Sequence, residues 1–335
     1  MAKKNGVRID AAVLAGTHLE KDKLIYGQNK SFLEFHGKPV VQWVVEALAQ
    51  AKRIDRIVVV GPIEKVKTVL EHSPVNFIPV EQRGQMIQNA WVAFLALCPQ
   101  AAGYPTDLIE YLAAEESGGF RQPEGIEMDR PYLYISGDVP LVIPEAIDDF
   151  IDRCEINNYD MFYGITEEED LKPYYPTPTQ KGIKRPYVHF ADSWLRVSNI
   201  QLVKPLKLGR LYLVQSGYNV RKMKLWRNLF RLFKIVITLP YGMRAVGFIS
   251  ALKFSAHLHK YGLGKWANPV ENRCKRSKLE WYLSHFLKTR FFMVSSPYGG
   301  LSIDIDDAED YEILKQFFYQ WLELQTQIAI SMKSN

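Results

Sequence analysis

The chain has 335 residues, 47% hydrophobic and 24% charged, the composition of an ordinary globular protein with enough apolar material for one large domain or two. Cys98, Cys154 and Cys274, odd in number and widely spaced, make neither a disulfide framework nor a C-x-x-C metal pair, so they read as core fillers in a reducing compartment. The net charge of +5 hides an asymmetry: residues 207–290 hold 18 Lys and Arg against only Glu271 and Glu280, leaving that segment at +16 and the remainder at −11.

At the N-terminus, MAKKNGVRIDAAVLAG passes from a short basic tip into an apolar strand with no long h-region and no A-x-A site, and it reads as unprocessed. Residues 8–15 and 54–60 are short apolar runs, with the amphipathic stretch VVQWVVEALAQAKR between them, which predicts a β-α-β unit. Runs such as IVVVG are apolar on consecutive residues, as expected for parallel strands covered on both faces. Strands at 75–80 and 131–138 follow, separated by the helix QMIQNAWVAFLALC. The resulting alternation predicts an α/β, Rossmann-like, mostly parallel sheet with right-handed crossovers.

The Gly-, Pro- and acid-rich stretch 100–130 reads as a surface insertion with a short helix at DLIEYLAAEE. Beyond Pro144 come the helix EAIDDFIDRCEIN, the strand YDMFYGI, a Pro-rich connector, and a β-hairpin over 187–203 expected to flank the sheet. Residues 207–290 read as a basic, mainly helical insertion, and the chain closes with a strand, a turn and a helix. The division is therefore 1–206, 207–290 and 291–335.

Within the insertion, residues 221–237 place Arg221, Lys224, Arg227, Arg231 and Lys234 on one helical stripe, with Trp226, Leu229 and Phe233 on the other. Such a helix either caps a globular core or lies on an anionic membrane. The apolar run 232–252 is interrupted by Lys234, Pro240 and Arg244, so no transmembrane helix is expected. An excess of +16 points to an anionic partner; a phosphorylated substrate and a lipid surface fit better than nucleic acid, and a solvated basic face is the bland alternative.

Three features fall at the carboxyl ends of strands, where open α/β sheets bind ligands. The loop after the first strand carries Gly16, which permits close backbone approach to phosphate, and Lys21, Lys23 and Lys30 to neutralise it. In SGDVPL an apolar strand ends in Asp138, a position costly for a carboxylate unless it has a partner, such as Mg²⁺. In GGLSIDIDDAEDYEIL, Asp307 and Glu309 are explained as helix cap and dipole partner, which leaves Asp304 as the preferred second metal ligand, with Asp306 behind it.

The segments DAAVLAG, NKSFLEFHGKPVVQWVVEAL, IDRIVVVGP, YLYISGDVPLV and LSIDIDDAEDYEIL resemble the nucleotidyltransferases with a MobA-like NTP transferase domain, a branch of the GT-A-like family, over residues 8–99, 131–206 and 291–315. The resemblance implies a GT-A fold in which Leu14, Ala15 and Gly16 hold the triphosphate, Lys30 assists, Gly84 lies near the base, and Asp138 and Asp304 bind Mg²⁺ or Mn²⁺. The family loop has paired glycines and an arginine where this chain reads GTHLEKDK, so Lys21 or Lys23 stands in for the arginine. Arg185, His189 and Asn199 are the acceptor-side candidates, Arg185 foremost for its guanidinium fork.

The implied reaction is attack of a phosphorylated small molecule, such as a sugar, polyol or lipid-precursor phosphate, on the α-phosphorus of an NTP with release of pyrophosphate. The implied setting is cytoplasmic, with peripheral contact at the inner face of a membrane as an option. A GT-A glycosyltransferase using a nucleotide-sugar and a non-catalytic nucleotide-binding homologue stay open beside it.

Overall fold

The computed structural model describes residues 8–16, 24–116, 124–210 and 241–334. Lys21, Lys23 and the stripe from Arg221 to Lys234 lie outside the described residues.

Strand β1 (Ile9–Leu14) leads through the short ribbon β2 (Glu34–Phe35) and β3 (Lys38–Pro39) into α1 (Val40–Gln50) and β4 (Ile54–Gly61). Pro39 precedes α1 in an extended conformation, and the helix buries Val41, Val44, Val45 and Leu48 against β1 and β4. The chain continues through α2 (Ile63–Val69), β5 (Ile78–Glu81), α3 (Met86–Leu97), α4 (Leu108–Glu116), β6 (Tyr132–Ser136), α5 (Pro144–Arg153), β7 (Met161–Glu167) and α6 (Glu168–Leu171). It then forms β8 (Val188–His189), β9 (Trp194–Val203), α7 (Gly242–Lys260), α8 (Gly264–Glu271), α9 (Arg276–Leu287), β10 (Phe291–Ser295) and the long α10 (Ala308–Ser334).

The main sheet has eight strands in the order β10-β7-β9-β6-β1-β4-β5, with β8 paired to β9. Pairings β1–β4, β1–β6, β4–β5 and β7–β10 are parallel, and only β8 and β9 run antiparallel to their neighbours. Parallel strands need cover on both faces, and helices supply it. One core joins β1, β4 and β6 to α1 and α5; a second joins the opposite face to α3, α4, α7 and α9; a third packs α10 against residues 25–40.

Two expectations require correction. The strand at 194–203 does not flank the sheet: β9 lies inside it, hydrogen-bonded to β6 on one side and β7 on the other. Its polar residues have partners or space inside the fold: Gln201 lines an apolar cavity of about 100 Å³ with Leu14, Trp91, Tyr134 and Tyr163, and Arg196 and Ser198 bond to Asp304 and Ser302. The stretch 100–130 is also more than a surface insertion, since Ala101, Tyr104, Leu108 and Tyr111 are buried. Tyr104 and Tyr111 stack with each other and against Trp91.

At the amino end of β1, Asp10 is fully buried. Arg56 grips it with Nε at 3.0 Å and a terminal nitrogen at 2.7 Å, and Arg130 adds a third bond at 2.8 Å. The pairing replaces the hydration that a carboxylate loses on burial. All three cysteines are buried and free, as core fillers would be. Among the described residues no helix is long and apolar enough to cross a membrane.

Candidate active site

The carboxyl end of β1 is clamped from both sides: Ala15 N–H donates to Val60 and Gly137 N–H donates to Leu14. Gly137 sits so close that a Cβ there would meet Ala15 Cβ at 3.1 Å and Ser31 Oγ at 3.2 Å. The carbonyl of Ala15 accepts from Asn29 Nδ2 at 3.1 Å, while Asn29 Oδ1 caps the short 3-10 turn Lys30–Phe32 by accepting from Ser31 N–H. Buried Phe32 anchors that turn in the core. Lys30 is thereby held over the end of the sheet.

Lys30 Nζ stands 2.5 Å from Asp138 Oδ2 and 3.5 Å from Asp306 Oδ1. Asp138 follows directly on β6 and Gly137, is 3% exposed, and accepts a second bond from Ser136 Oγ. It does not cap α5, whose N-terminal flank at Ile143 has no side-chain bond. The carbonyl of Asp138 accepts from Ile305 N–H at 3.2 Å, which brings the segment 303–307 beside it.

Asp304 is 8% exposed and accepts from Arg196 at 3.1 Å. Arg185 donates at 2.6 Å both to the Asp304 carbonyl and to Asp310, and lies 3.3 Å from Asp306. Four carboxylates (Asp138, Asp304, Asp306, Asp310) thus meet three cations (Lys30, Arg185, Arg196), leaving one negative charge over. Beneath them Thr166, Ser198 and Ser302 form a closed triangle of buried hydroxyls with separations of 2.8 to 3.0 Å, which supports the segment leading to Asp304.

Burial, with the charges of Asp138 and Asp306 nearby, pushes the Asp304 carboxyl up to about 6. Burial would also raise Asp306, but Lys30 and Arg185 outweigh it and hold that carboxyl below its usual range. Burial works against the Lys30 ammonium, yet Asp138 and the two aspartates beyond it keep its pKa above the ordinary lysine value. Two buried carboxylates in mutual repulsion, Asp138 and Asp304, form a hard-oxygen donor set that suits a divalent cation, and Lys30 now holds Asp138 as its counter-charge.

The remaining candidates surround this centre unevenly. Gly16 is a glycine for a packing reason: a Cβ would fall 2.6 Å from Asn89 Nδ2 and 3.1 Å from Gln82 Oε1. Asn89 in turn accepts from Arg83 N–H at 2.6 Å and so shapes the loop that carries Gly84, which has φ +78° and open space before it. Leu14 lines the apolar cavity. Asn199, on β9, leaves its buried Nδ2 without a hydrogen-bond partner. His189 is turned elsewhere, stacked on Trp194 and facing Glu271.

Sequence reasoning missed Arg196, Asp310 and Ser136. Asp310 had a visible signal: with Asp307 it makes a D-x-x-D helix start, in which Asp310 N–H donates to Asp307 Oδ1 and the Asp310 side chain accepts from Asp306 N–H. Arg196 had none, because its partner lies over a hundred residues away.

The MobA-like NTP transferase domain model matches residues 13–185, just over half of the chain. The chain belongs to this family. It is therefore a nucleotidyltransferase by family, and the crevice between Gly16, Lys30 and Asp138 lies where an open α/β sheet takes its ligand. Among solved structures, a hypothetical transferase from Thermus thermophilus is similar at 19% identity and a TM-score of 0.59, covering 91% of this chain and 100% of that one. That likeness is one of fold. A 4-diphosphocytidyl-2C-methyl-D-erythritol synthase from Anaerococcus prevotii aligns over 93% of this chain and 96% of its own at 14% identity and a TM-score of 0.47. A CMP:2-keto-3-deoxy-manno-octonic acid synthetase complexed with CTP aligns over 94% and 98% at 12% identity and a TM-score of 0.42. No curated protein matches the chain.

Proposed function

We propose that the chain joins an NTP to a phosphorylated small molecule, with release of pyrophosphate and with Mg²⁺ (or Mn²⁺) held by Asp138 and Asp304. The observation that carries this reading is the convergence of segments far apart in sequence: Lys30 pairs with buried Asp138 and with Asp306, two residues from buried Asp304, whose charge also acts on the Lys30 ammonium. A bound Mg²⁺ would neutralise the triphosphate and stabilise charge on the leaving pyrophosphate.

The chain's own residues do the rest. Gly16 and the neighbouring backbone admit the phosphates close to the end of β1, and Lys30, held at Asp138, would pair with phosphate oxygens when Asp138 holds the cation. Gly84 leaves room for the base. Arg185 and Asn199 orient the acceptor, whose phosphate oxygen forms a bond to the α-phosphorus as the bond from that phosphorus to the β-phosphate oxygen breaks. Asp306, more exposed and already paired with Lys30 and Arg185, supports the metal site from outside. No covalent enzyme intermediate is required, since positioning and charge neutralisation carry such transfers.

Pyrophosphate release, measured across the four NTPs with a panel of phosphorylated acceptors and Mg²⁺, tests this. Release with one NTP and one acceptor, lost in Asp138→Ala, is the expected outcome. Turnover of a nucleotide-sugar without NTP-dependent pyrophosphate release would replace it with the glycosyltransferase reading.

A second reading concerns the basic segment, whose partner we take to be an anionic lipid surface. It is supported by the +16 excess and by the exposure of Phe254, Tyr261, Leu263 and Trp266 around the turn from α7 to α8.

A further inference from the structure

Away from the carboxylate centre, three elements bring together a second set of ligating groups. His189 comes from β8, His259 from the last turn of α7 and Glu271 from the end of α8. Their ligand atoms all lie within 4.8 Å of one another. His259 Nε2 is 2.6 Å from Glu271 Oε1, and His189 Nδ1 is 3.3 Å from the same oxygen. Ser255 Oγ donates to it as well.

Two features of this cluster stand out, one of charge and one of hydrogen bonding. Glu271 is 6% exposed in a segment that carries 18 basic residues, yet among the described residues no lysine or arginine pairs with it. A buried carboxylate without a cation is costly. His189 is likewise 6% exposed, held face to face with Trp194 at 4.2 Å and edge-on to His259 at 4.1 Å, and its Nδ1 has no hydrogen-bond partner although it points at Glu271.

We propose that His189, His259 and Glu271 form a divalent transition-metal site, for Zn²⁺ or a cation of similar preference, that clamps the basic helices onto the hairpin of β8 and β9. Two imidazoles and one carboxylate are a recurrent zinc donor set, with a fourth position left for water. Tetrahedral bonds of about 2.0–2.2 Å place ligand atoms roughly 3.3–3.5 Å apart. The His189–Glu271 separation already has that length, and the His259–Glu271 contact reaches it by opening less than about 1 Å. Imidazole ligands select against Mg²⁺, so this site and the carboxylate centre take different ions. The clamp would bear on the acceptor side of the crevice, because β9 also carries Arg196, which holds Asp304.

The test is Co²⁺ titration of the chelator-treated, full-length protein in excess Mg²⁺, followed by visible absorption, with displacement by Zn²⁺. One equivalent of Co²⁺ giving the intense bands of four-coordinate nitrogen-oxygen ligation, lost on adding Zn²⁺, is expected. The same bands should survive in Asp138→Ala and weaken in His259→Ala and Glu271→Gln, with affinity for Zn²⁺ lowered about a hundredfold or more. Zn²⁺ should also raise the denaturation temperature of the wild-type chain and not of His259→Ala. Featureless spectra at stoichiometric Co²⁺, or unchanged affinity in both His259→Ala and Glu271→Gln, would overturn the site.

Discussion

The backbone N–H of Ile305 donates to the carbonyl of Asp138 at 3.2 Å, so two carboxylate segments separated by most of the chain's second half are joined directly at the crevice. The bond fixes how the flanking side chains alternate: Asp304 turns inward to Arg196, and Asp306 turns outward to Lys30 and Arg185. The three aspartates should therefore fail differently. Asp138→Ala and Asp304→Ala should each lower pyrophosphate release by about a hundredfold or more at saturating Mg²⁺, as loss of a buried metal ligand does. Asp306→Ala should retain most turnover and raise the Mg²⁺ requirement. Steady-state kinetics against Mg²⁺ concentration decide it; an inactive Asp306→Ala beside an active Asp304→Ala would shift the ligand assignment by two residues.

The elevated Asp304 carboxyl gives the metal a pH signature. Its folded pKa, about 6, lies above its ordinary value, so the folded state holds a proton that the unfolded chain releases near pH 4. The stability linked to this group is thus complete below about pH 4 and is lost as the pH rises through about 6, where the ionised, buried carboxylate repels Asp138 and Asp306 more than Arg196 and Lys30 offset. A divalent cation competes with that proton. The gain in denaturation temperature on adding Mg²⁺ should be small near pH 5, grow through pH 6 and level off by about pH 7.5. An equal gain at both ends of that range would place Mg²⁺ elsewhere.

Fold stability should be most sensitive at the opposite end of β1. Asp10→Ala removes the one carboxylate that both Arg56 and Arg130 grip inside the sheet. Both arginines are 38% exposed at their side chains and can rehydrate in part, so the expected loss is about 2–3 kcal/mol, at or below the low end for a broken buried pair. Urea denaturation measures it. A change within about 0.5 kcal/mol would mean the cluster is replaceable by packing.

Legibility in the sequence depends on where each residue's role is decided. The parallel strands were legible because burial on both faces makes them apolar on successive residues, as in β4 with its run from Ile57 to Val60. Asp138 was legible because a carboxylate ending such a strand conflicts with its surroundings. The interior place of β9 was not, because its polar residues read as a solvent-exposed strand, whereas Gln201 lines an internal cavity and Arg196 and Ser198 bond to Asp304 and Ser302. Arg196 and the hydroxyl triangle of Thr166, Ser198 and Ser302 depend on pairing registers set only when β7, β9 and the segment near Ser302 assemble.

The basic segment offers the last test. Trp266 is 73% exposed, Tyr261 63% and Phe254 54%, in a part of the chain where lysine and arginine outnumber acids by 18 to 2. Phe254 lies on the last turns of α7, Tyr261 caps its C-terminus and Trp266 lies on α8, so exposed aromatics cluster in sequence around this turn. Each basic side chain near an anionic bilayer contributes about 1 kcal/mol, and interfacial aromatics add to it. The electrostatic part is screened within about 8 Å at physiological ionic strength, so attachment should be strong at low salt and weak at high salt. Sedimentation with vesicles of pure phosphatidylcholine and with vesicles containing about a third phosphatidylserine should show pelleting only with the anionic lipid, reduced by salt. Trp266→Ala should lower the pelleted fraction at fixed salt without altering pyrophosphate release from soluble substrates. Equal, negligible pelleting in every condition would remove the membrane reading and leave the charge to a substrate-side role.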